Sequence, residues 1–137
     1  MLSKYKFLFI DDSDLDNNYI KILIDVEELP IEAHFCNSAI AALDYLKDQS
    51  AASFPEIIIV DINMPLMNGF EFTEEYQEKY AADFPDTYLF ISSSTRRISE
   101  IEKSKQMDIV TDFIAKPVAA DYLVNKIFPM LPVRENS

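Results

Sequence analysis

Glycine is almost missing from this 137-residue chain: Gly69 is the only one. Cysteine and histidine are as scarce, with Cys36 and His34 alone of their kinds. One cysteine excludes a disulfide framework. Its apolar neighbours mark Cys36 as a small buried thiol in a reducing compartment. No hydrophobic run approaches the ~20 residues of a membrane span. The N-terminal MLSKYKFLFI is too short an apolar stretch for a signal peptide, and two aspartates end it. A cytoplasmic protein with no membrane partner is the expectation. Basic residues are in deficit, 12 against 24 acidic, for a net charge of −12. Such a chain repels the phosphate backbone, so direct DNA or RNA binding is not expected. Partners should offer basic or apolar surfaces.

What is present is enough for a core, with 49% of residues hydrophobic. The length predicts one domain over 1–131 and a short tail over 132–137. No repeat, low-complexity stretch or linker to a second domain is visible. Five short apolar runs read as strands: Tyr5–Asp11, Ile31–Cys36, Glu56–Asp61, Thr87–Ser92 and Thr111–Ala115. In the third, every position from Ile57 to Val60 is apolar, which suits a strand covered on both faces. Segments with helical spacing lie between them. Leu15, Tyr19, Ile22, Leu23, Val26 and Leu29 make one apolar stripe, and Pro30 should stop that helix. Ile40, Leu43 and Leu46 make a second, with Asn37 or Ser38 as N-cap. Phe70–Asp83, Ile98–Met107 and Ala120–Leu131 complete five helices. Alternation of this kind predicts an α/β domain with a parallel sheet and right-handed crossovers.

Sites in open parallel sheets form beyond the carboxyl ends of the strands. Those ends carry Asp11-Asp12, Asp61, Ser92 and Lys116-Pro117. Three clustered carboxylates repel one another and call for a cation. Mg²⁺ fits, because it takes hard oxygen ligands from one or two carboxylates plus phosphate. An acid cluster beside a lysine and a hydroxyl is a constellation for phosphoryl transfer, whose catalysis is largely charge neutralisation.

FLFIDD, IIIVDINMPLMNG and FIAKP occur in that order, and Lys116 comes 55 positions (116 − 61) after Asp61. In motif and spacing the chain resembles the receiver domains of two-component response regulators, single-domain chemotaxis regulators among them. The resemblance covers essentially the whole chain. It implies a flavodoxin-like (βα)5 fold with strand order 2-1-3-4-5. It implies that Asp61 accepts the phosphoryl group, and that Asp11, Asp12, Asp61 and the backbone carbonyl of Asn63 hold Mg²⁺. Lys116 and Ser92 would bond the phosphoryl oxygens, with Ser93 as the switch hydroxyl if the strand slips by one. Phe113 would be the switching aromatic, Lys116-Pro117 a cis peptide, and Asn63 and Ser94 modulators of dephosphorylation. The implied partners are a sensor histidine kinase or histidine phosphotransfer protein, docking against the first helix. A downstream protein target would meet the face of the fourth helix, fifth strand and fifth helix. The chain would be a monomer or a phosphorylation-dependent dimer, and not an enzyme on external substrates.

Plainer readings stand beside these. Asp12 could cap the following helix, Asn68-Gly69 is a turn signal in any fold, and Phe113 could be a core aromatic. His34 lies in a strand, whereas a phosphotransfer histidine is normally exposed on a helix, so a non-catalytic role is expected. Two rival functions remain: an inert interaction module with this fold, and a phosphohydrolase of the haloacid-dehalogenase type. The latter would use Asp12-Ser13-Asp14 as its Asp-x-Asp motif and leave Asp61 unexplained. The chain departs from the receiver pattern before the last strand, where Met107–Thr111 replaces the usual small pair, and at Val118, where bulky aromatics are common.

Overall fold

The computed structural model describes residues 4–133. Five strands form one parallel sheet: β1 (Tyr5–Ile10), β2 (Ile31–Cys36), β3 (Ile57–Asp61), β4 (Tyr88–Ser93) and β5 (Val110–Ala115). Their spatial order is β2-β1-β3-β4-β5, the flavodoxin-like order expected. Strand bounds fall within about a residue of the sequence reading. The expected tail begins at Pro132, and residues 134–137 of it lie outside the described residues.

The all-apolar strands follow from burial on both faces. Successive strand residues point to opposite sides. Leu8, Ile10, Ile58, Val60, Leu89 and Ile91 therefore join one core cluster, while Phe7, Phe9, Ile57, Ile59 and Phe90 join the other. Helices α2 (Ala39–Lys47) and α3 (Gly69–Lys79) cover the first face, through Ala42, Leu46, Phe72 and Tyr76. Helix α1 (Asp14–Val26) and the C-terminal segment cover the second, through Ile20, Leu123 and Ile127. Truncating a fully buried residue such as Ile58 to alanine should cost about 2–5 kcal/mol.

Side chains start three of the helices. Ser13 accepts from the Asp16 N–H at 3.2 Å, and Ser38 from Ala41 at 3.0 Å. Asn68 and Glu71 form a reciprocal capping box on α3, with bonds of 2.9 and 3.0 Å. Each such cap contributes about 1 kcal/mol. The cap of α1 is thus Ser13, not Asp12, and the cap of α2 is Ser38, not Asn37. Helix α4 (Ile98–Gln106) has no side-chain cap.

Three helical expectations are corrected. Helix α1 ends at Val26, well before Pro30. Glu28 turns the chain with a left-handed φ of 51°, which returns Leu29 to the core. Of the stripe read along α1, Leu15, Tyr19, Ile22 and Val26 face solvent, 79, 40, 62 and 69% exposed. The covered face is instead Asn17 and Ile20, with Leu23 and Ile24 half-buried. Finally, the last helix is not regular. A single α-turn, α5 (Ala120–Tyr122), passes into a wider π-type coil over Leu123–Ile127 and a 3₁₀ turn over Phe128–Met130. Phe128 donates back five residues to Leu123, and Pro129 has no N–H to restore the α pattern.

Candidate phosphoryl-acceptor site

Register brings the chemistry to one edge. Ile10 lies opposite Val60, and Asp61 lies opposite Ser92. Asp11 follows β1 directly, and Lys116 follows β5, its N–H bonded to the Ser93 carbonyl at 2.9 Å. Asp11, Asp61 and Ser92 are buried; Asp12 is exposed.

Local bonds hold these residues in place. The Asp11 N–H donates to the Cys36 carbonyl (3.1 Å), and Asp11 Oδ1 accepts from the Ser13 N–H (3.0 Å). Buried Asn17 donates from Nδ2 to the Asp11 carbonyl at 3.0 Å. Behind Asp61, the Ile62 N–H bonds to the Ser92 carbonyl (3.0 Å) and the Gly69 N–H to the Ile62 carbonyl (2.9 Å). Gly69 does more than turn the chain, and its φ is not positive. A Cβ there would lie 2.5 Å from the Asp61 carbonyl oxygen, so only glycine fits against the backbone of Asp61.

Lys116 is the hub. Its Nζ lies 2.5 Å from Asp11 Oδ2, 2.9 Å from Asp61 Oδ1 and 2.9 Å from Asp16 Oδ2. Burial lowers the lysine's affinity for its proton, but bonds to Asp11, Asp61 and Asp16 outweigh this and push its pKa up. Asp61 is pushed up from 3.8 to about 6, chiefly by burial. Lys116 pulls it down, and Asp11 and Asp12 push it up again. Four acids around one lysine leave an excess of negative charge. Asp11, Asp12 and Asp61 each offer an oxygen within 4.8 Å of the others, a hard-oxygen set that fits a divalent cation such as Mg²⁺.

Of the sequence-read residues, Asp11, Asp12, Asp61, Ser92 and Lys116 converge. Lys116-Pro117 is cis, as expected. Asn63 and Ser94 are exposed in the loops after β3 and β4. Phe113 is half-buried against the core cluster that includes Ile91. Ser93 is fully buried, and its hydroxyl is engaged by Thr95 at 3.1 Å. His34 is exposed on β2, stacked on Tyr45 at 3.8 Å, with its pKa lowered by partial burial. The Cys36 thiol is buried, which pushes it up to about 11. Asp14, needed by an Asp-x-Asp motif, is exposed at the start of α1 and stands outside the acid cluster.

Sequence reasoning missed Asp16 and Asn17. An acid in a helix's first turn reads as a complement to the helix dipole, which hides a second role. The available signal was position: one turn into α1, a side chain can reach back toward the end of β1. Between α1 and the residues after β5 lies a cavity of about 350 Å³, lined by Leu15, Tyr19, Ile20, Pro117 and Val118, with Asp16 and Lys116 among its walls.

Comparison with known proteins agrees with this geometry. The response regulator receiver domain family matches residues 7–128. A response regulator receiver protein from Dyadobacter fermentans superposes with a TM-score of 0.82 at 32% identity, covering 94% of this chain and 99% of that one. A two-component response regulator from Cytophaga hutchinsonii gives 0.84 at 26%, covering 93% and 97%. Among curated relatives, the sensor histidine kinase CheAY of Helicobacter pylori is 29% identical over 91% of this chain. A protein-glutamate methylesterase/protein-glutamine glutaminase of Pseudomonas aeruginosa is 31% identical over 80%. The chain spans only 15% and 29% of those two relatives' lengths. Among the described residues no helix is long and apolar enough to cross a membrane. The chain belongs to the response regulator receiver domain family of two-component signalling.

Proposed function

We propose that Asp61 accepts a phosphoryl group from a phosphohistidine on a sensor kinase or phosphotransfer protein, and that the chain then signals through altered protein binding. The observation that carries this reading is the convergence of Asp11, Asp12 and the Lys116 ammonium on a buried, strand-terminal Asp61. Asp11, Asp12, Asp61 and the Asn63 carbonyl would hold Mg²⁺. When bound, the ion neutralises the acid cluster and the transferring group. A carboxylate oxygen of Asp61 attacks phosphorus as the bond to the donor histidine breaks. Lys116 pairs with the new phosphoryl oxygens. Ser92, opposite Asp61 in register, supplies a hydroxyl to one of them. Ser92 is favoured over Ser93 because the Ser93 hydroxyl already has partners.

The exposed apolar row on α1, Leu15, Tyr19, Ile22 and Val26, suits docking of the phosphodonor. Movement of Ser92 and Phe113 would reshape the face formed by α4, β5 and α5 for a downstream protein, or for a second copy in a phosphorylation-dependent dimer. The domain would act on itself only, with no turnover of an external substrate. Cytoplasmic location fits this role, since the donor's phosphohistidine is intracellular in such a scheme.

The test is intact-protein mass after incubation with acetyl phosphate, with and without Mg²⁺, for wild type and Asp61→Asn. One added phosphoryl group that needs Mg²⁺ and Asp61 supports the proposal. No adduct in wild type would favour the inert interaction module, and an adduct that survives Asp61→Asn would move the nucleophile elsewhere, to Asp12 on the phosphohydrolase reading.

A further inference from the structure

The Lys116 ammonium hydrogen-bonds Asp11 and Asp16 and is ion-paired with Asp61 at 2.9 Å. A phosphoryl group on Asp61 brings new anionic oxygens beside this lysine. An ammonium has only three N–H bonds, so these oxygens compete for it with the acids that already hold it.

The three partners differ in how easily they return to water. The side chains of Asp11 and Asp61 are 10 and 7% exposed, against 42% for Asp16. Modification removes the charge of the Asp61 carboxylate itself, so the acids left to compete are Asp11 and Asp16; freeing Asp11 would leave a buried carboxylate without its cation, a costly state. Asp16 can rotate into solvent. It also sits in the first turn of α1, where the helix dipole favours a negative charge with or without the lysine. It therefore has two acceptable states, paired and released.

We infer that Asp16 is a positioning residue that competes with the phosphoryl group for Lys116. In the resting protein it accepts a hydrogen bond from the ammonium. When Asp61 is modified, it releases the lysine to a phosphoryl oxygen. Its carboxylate thus weakens retention of the phosphoryl group, and the chain carries a built-in brake on its own active state. This inference rests on the acceptor role of Asp61.

The experiment titrates beryllofluoride, a phosphoryl mimic, into the Mg²⁺-saturated protein and follows the bound species by ¹⁹F NMR. Wild type, Asp16→Asn and Asp16→Glu are compared at low salt and in 1 M NaCl. A half-exposed ion pair is worth up to about 1 kcal/mol. Asp16→Asn should therefore bind about two- to five-fold more tightly at low salt. Asp16→Glu, which keeps the charge, should return toward wild type. The gap should close in 1 M NaCl, because such a pair is screened. Wild-type or weaker affinity in Asp16→Asn overturns the inference while leaving Asp61 as acceptor. A gap that persists unchanged at high salt also overturns it, since the effect would then not be charge competition. A wild type that neither binds beryllofluoride nor takes phosphate from acetyl phosphate overturns the acceptor reading itself, and this inference with it.

Discussion

Replacing Asp61 by asparagine should stabilise the metal-free protein. Burial raises the Asp61 pKa from 3.8 to about 6, even after the pull of Lys116. Each pKa unit is worth about 1.4 kcal/mol, so the native state bears about 3 kcal/mol for holding this carboxylate ionised. Because the folded pKa is the raised one, the native protein binds the proton more tightly than the unfolded chain. The penalty is absent below pH 3.8, grows as pH rises toward 6, and is complete above it. Asparagine cannot ionise, keeps the size of the side chain and never meets the penalty. Urea denaturation in EDTA should thus show Asp61→Asn more stable by about 1–3 kcal/mol at pH 8, with most of that advantage gone at pH 4.5. Mg²⁺ should reverse the ranking. It binds the native wild-type acid cluster and adds RT ln(1 + [Mg²⁺]/Kd), whereas the variant lacks one ligand. A variant no more stable than wild type at pH 8, or an advantage that does not shrink on acidification, would refute the assignment of a strained, buried charge to Asp61.

Gly69→Ala places a methyl group 2.5 Å from the Asp61 carbonyl oxygen. It should cost about 1–3 kcal/mol in thermal or urea unfolding and reduce labelling by acetyl phosphate, since the backbone of Asp61 must shift. Lys116→Met leaves Asp11 and Asp61 buried without their cation. A loss of about 3 kcal/mol in EDTA is expected, partly recovered by millimolar Mg²⁺, together with loss of phosphoryl retention. Cys36, with its thiol raised to about 11, should resist a thiol-specific disulfide reagent in the native protein at pH 8 and react fully in guanidinium. Leu15→Glu on the exposed face of α1 should slow phosphotransfer from a phosphohistidine protein several-fold while leaving acetyl phosphate labelling unchanged. Equal slowing with both donors would remove α1 from the docking surface.

The sheet and the acid cluster were legible because each rests on local pattern. Unbroken apolar runs such as Ile57–Val60 announce strands covered on both faces, and charged residues placed directly after such runs have to lie on one edge of a parallel sheet. What was hidden depended on contacts remote in the chain. Asp16 and Lys116 are 100 residues apart, and nothing in the first turn of a helix announces a lysine from the opposite end of the sequence. Periodicity along α1 failed differently. The helix is apolar on two sides, and a stripe says that a face avoids water without saying what covers it. Leu15, Tyr19, Ile22 and Val26 turned out to be the uncovered side, while Ile20 faces the sheet. Pro129 lies inside the apolar pattern of Ala120–Leu131, yet without an N–H it cannot continue an α-helix, and the segment around it departs from α pitch.

Several unfavourable features gather near one edge of the sheet. The buried Asp61, the glycine pressed against its carbonyl and the lysine divided among three acids lie at the carboxyl edge of β1 and β3, and the apolar row left in water starts beside them at Leu15 and runs away along α1. Each is unfavourable for a domain that only needs to fold. A sequence selected for stability alone would neutralise Asp61, fill the space at position 69 and put polar residues at 15, 19, 22 and 26. Local rules break together where a function holds them broken. The stability gain expected of Asp61→Asn therefore measures, in kcal/mol, what the resting protein forgoes to keep this buried carboxylate charged.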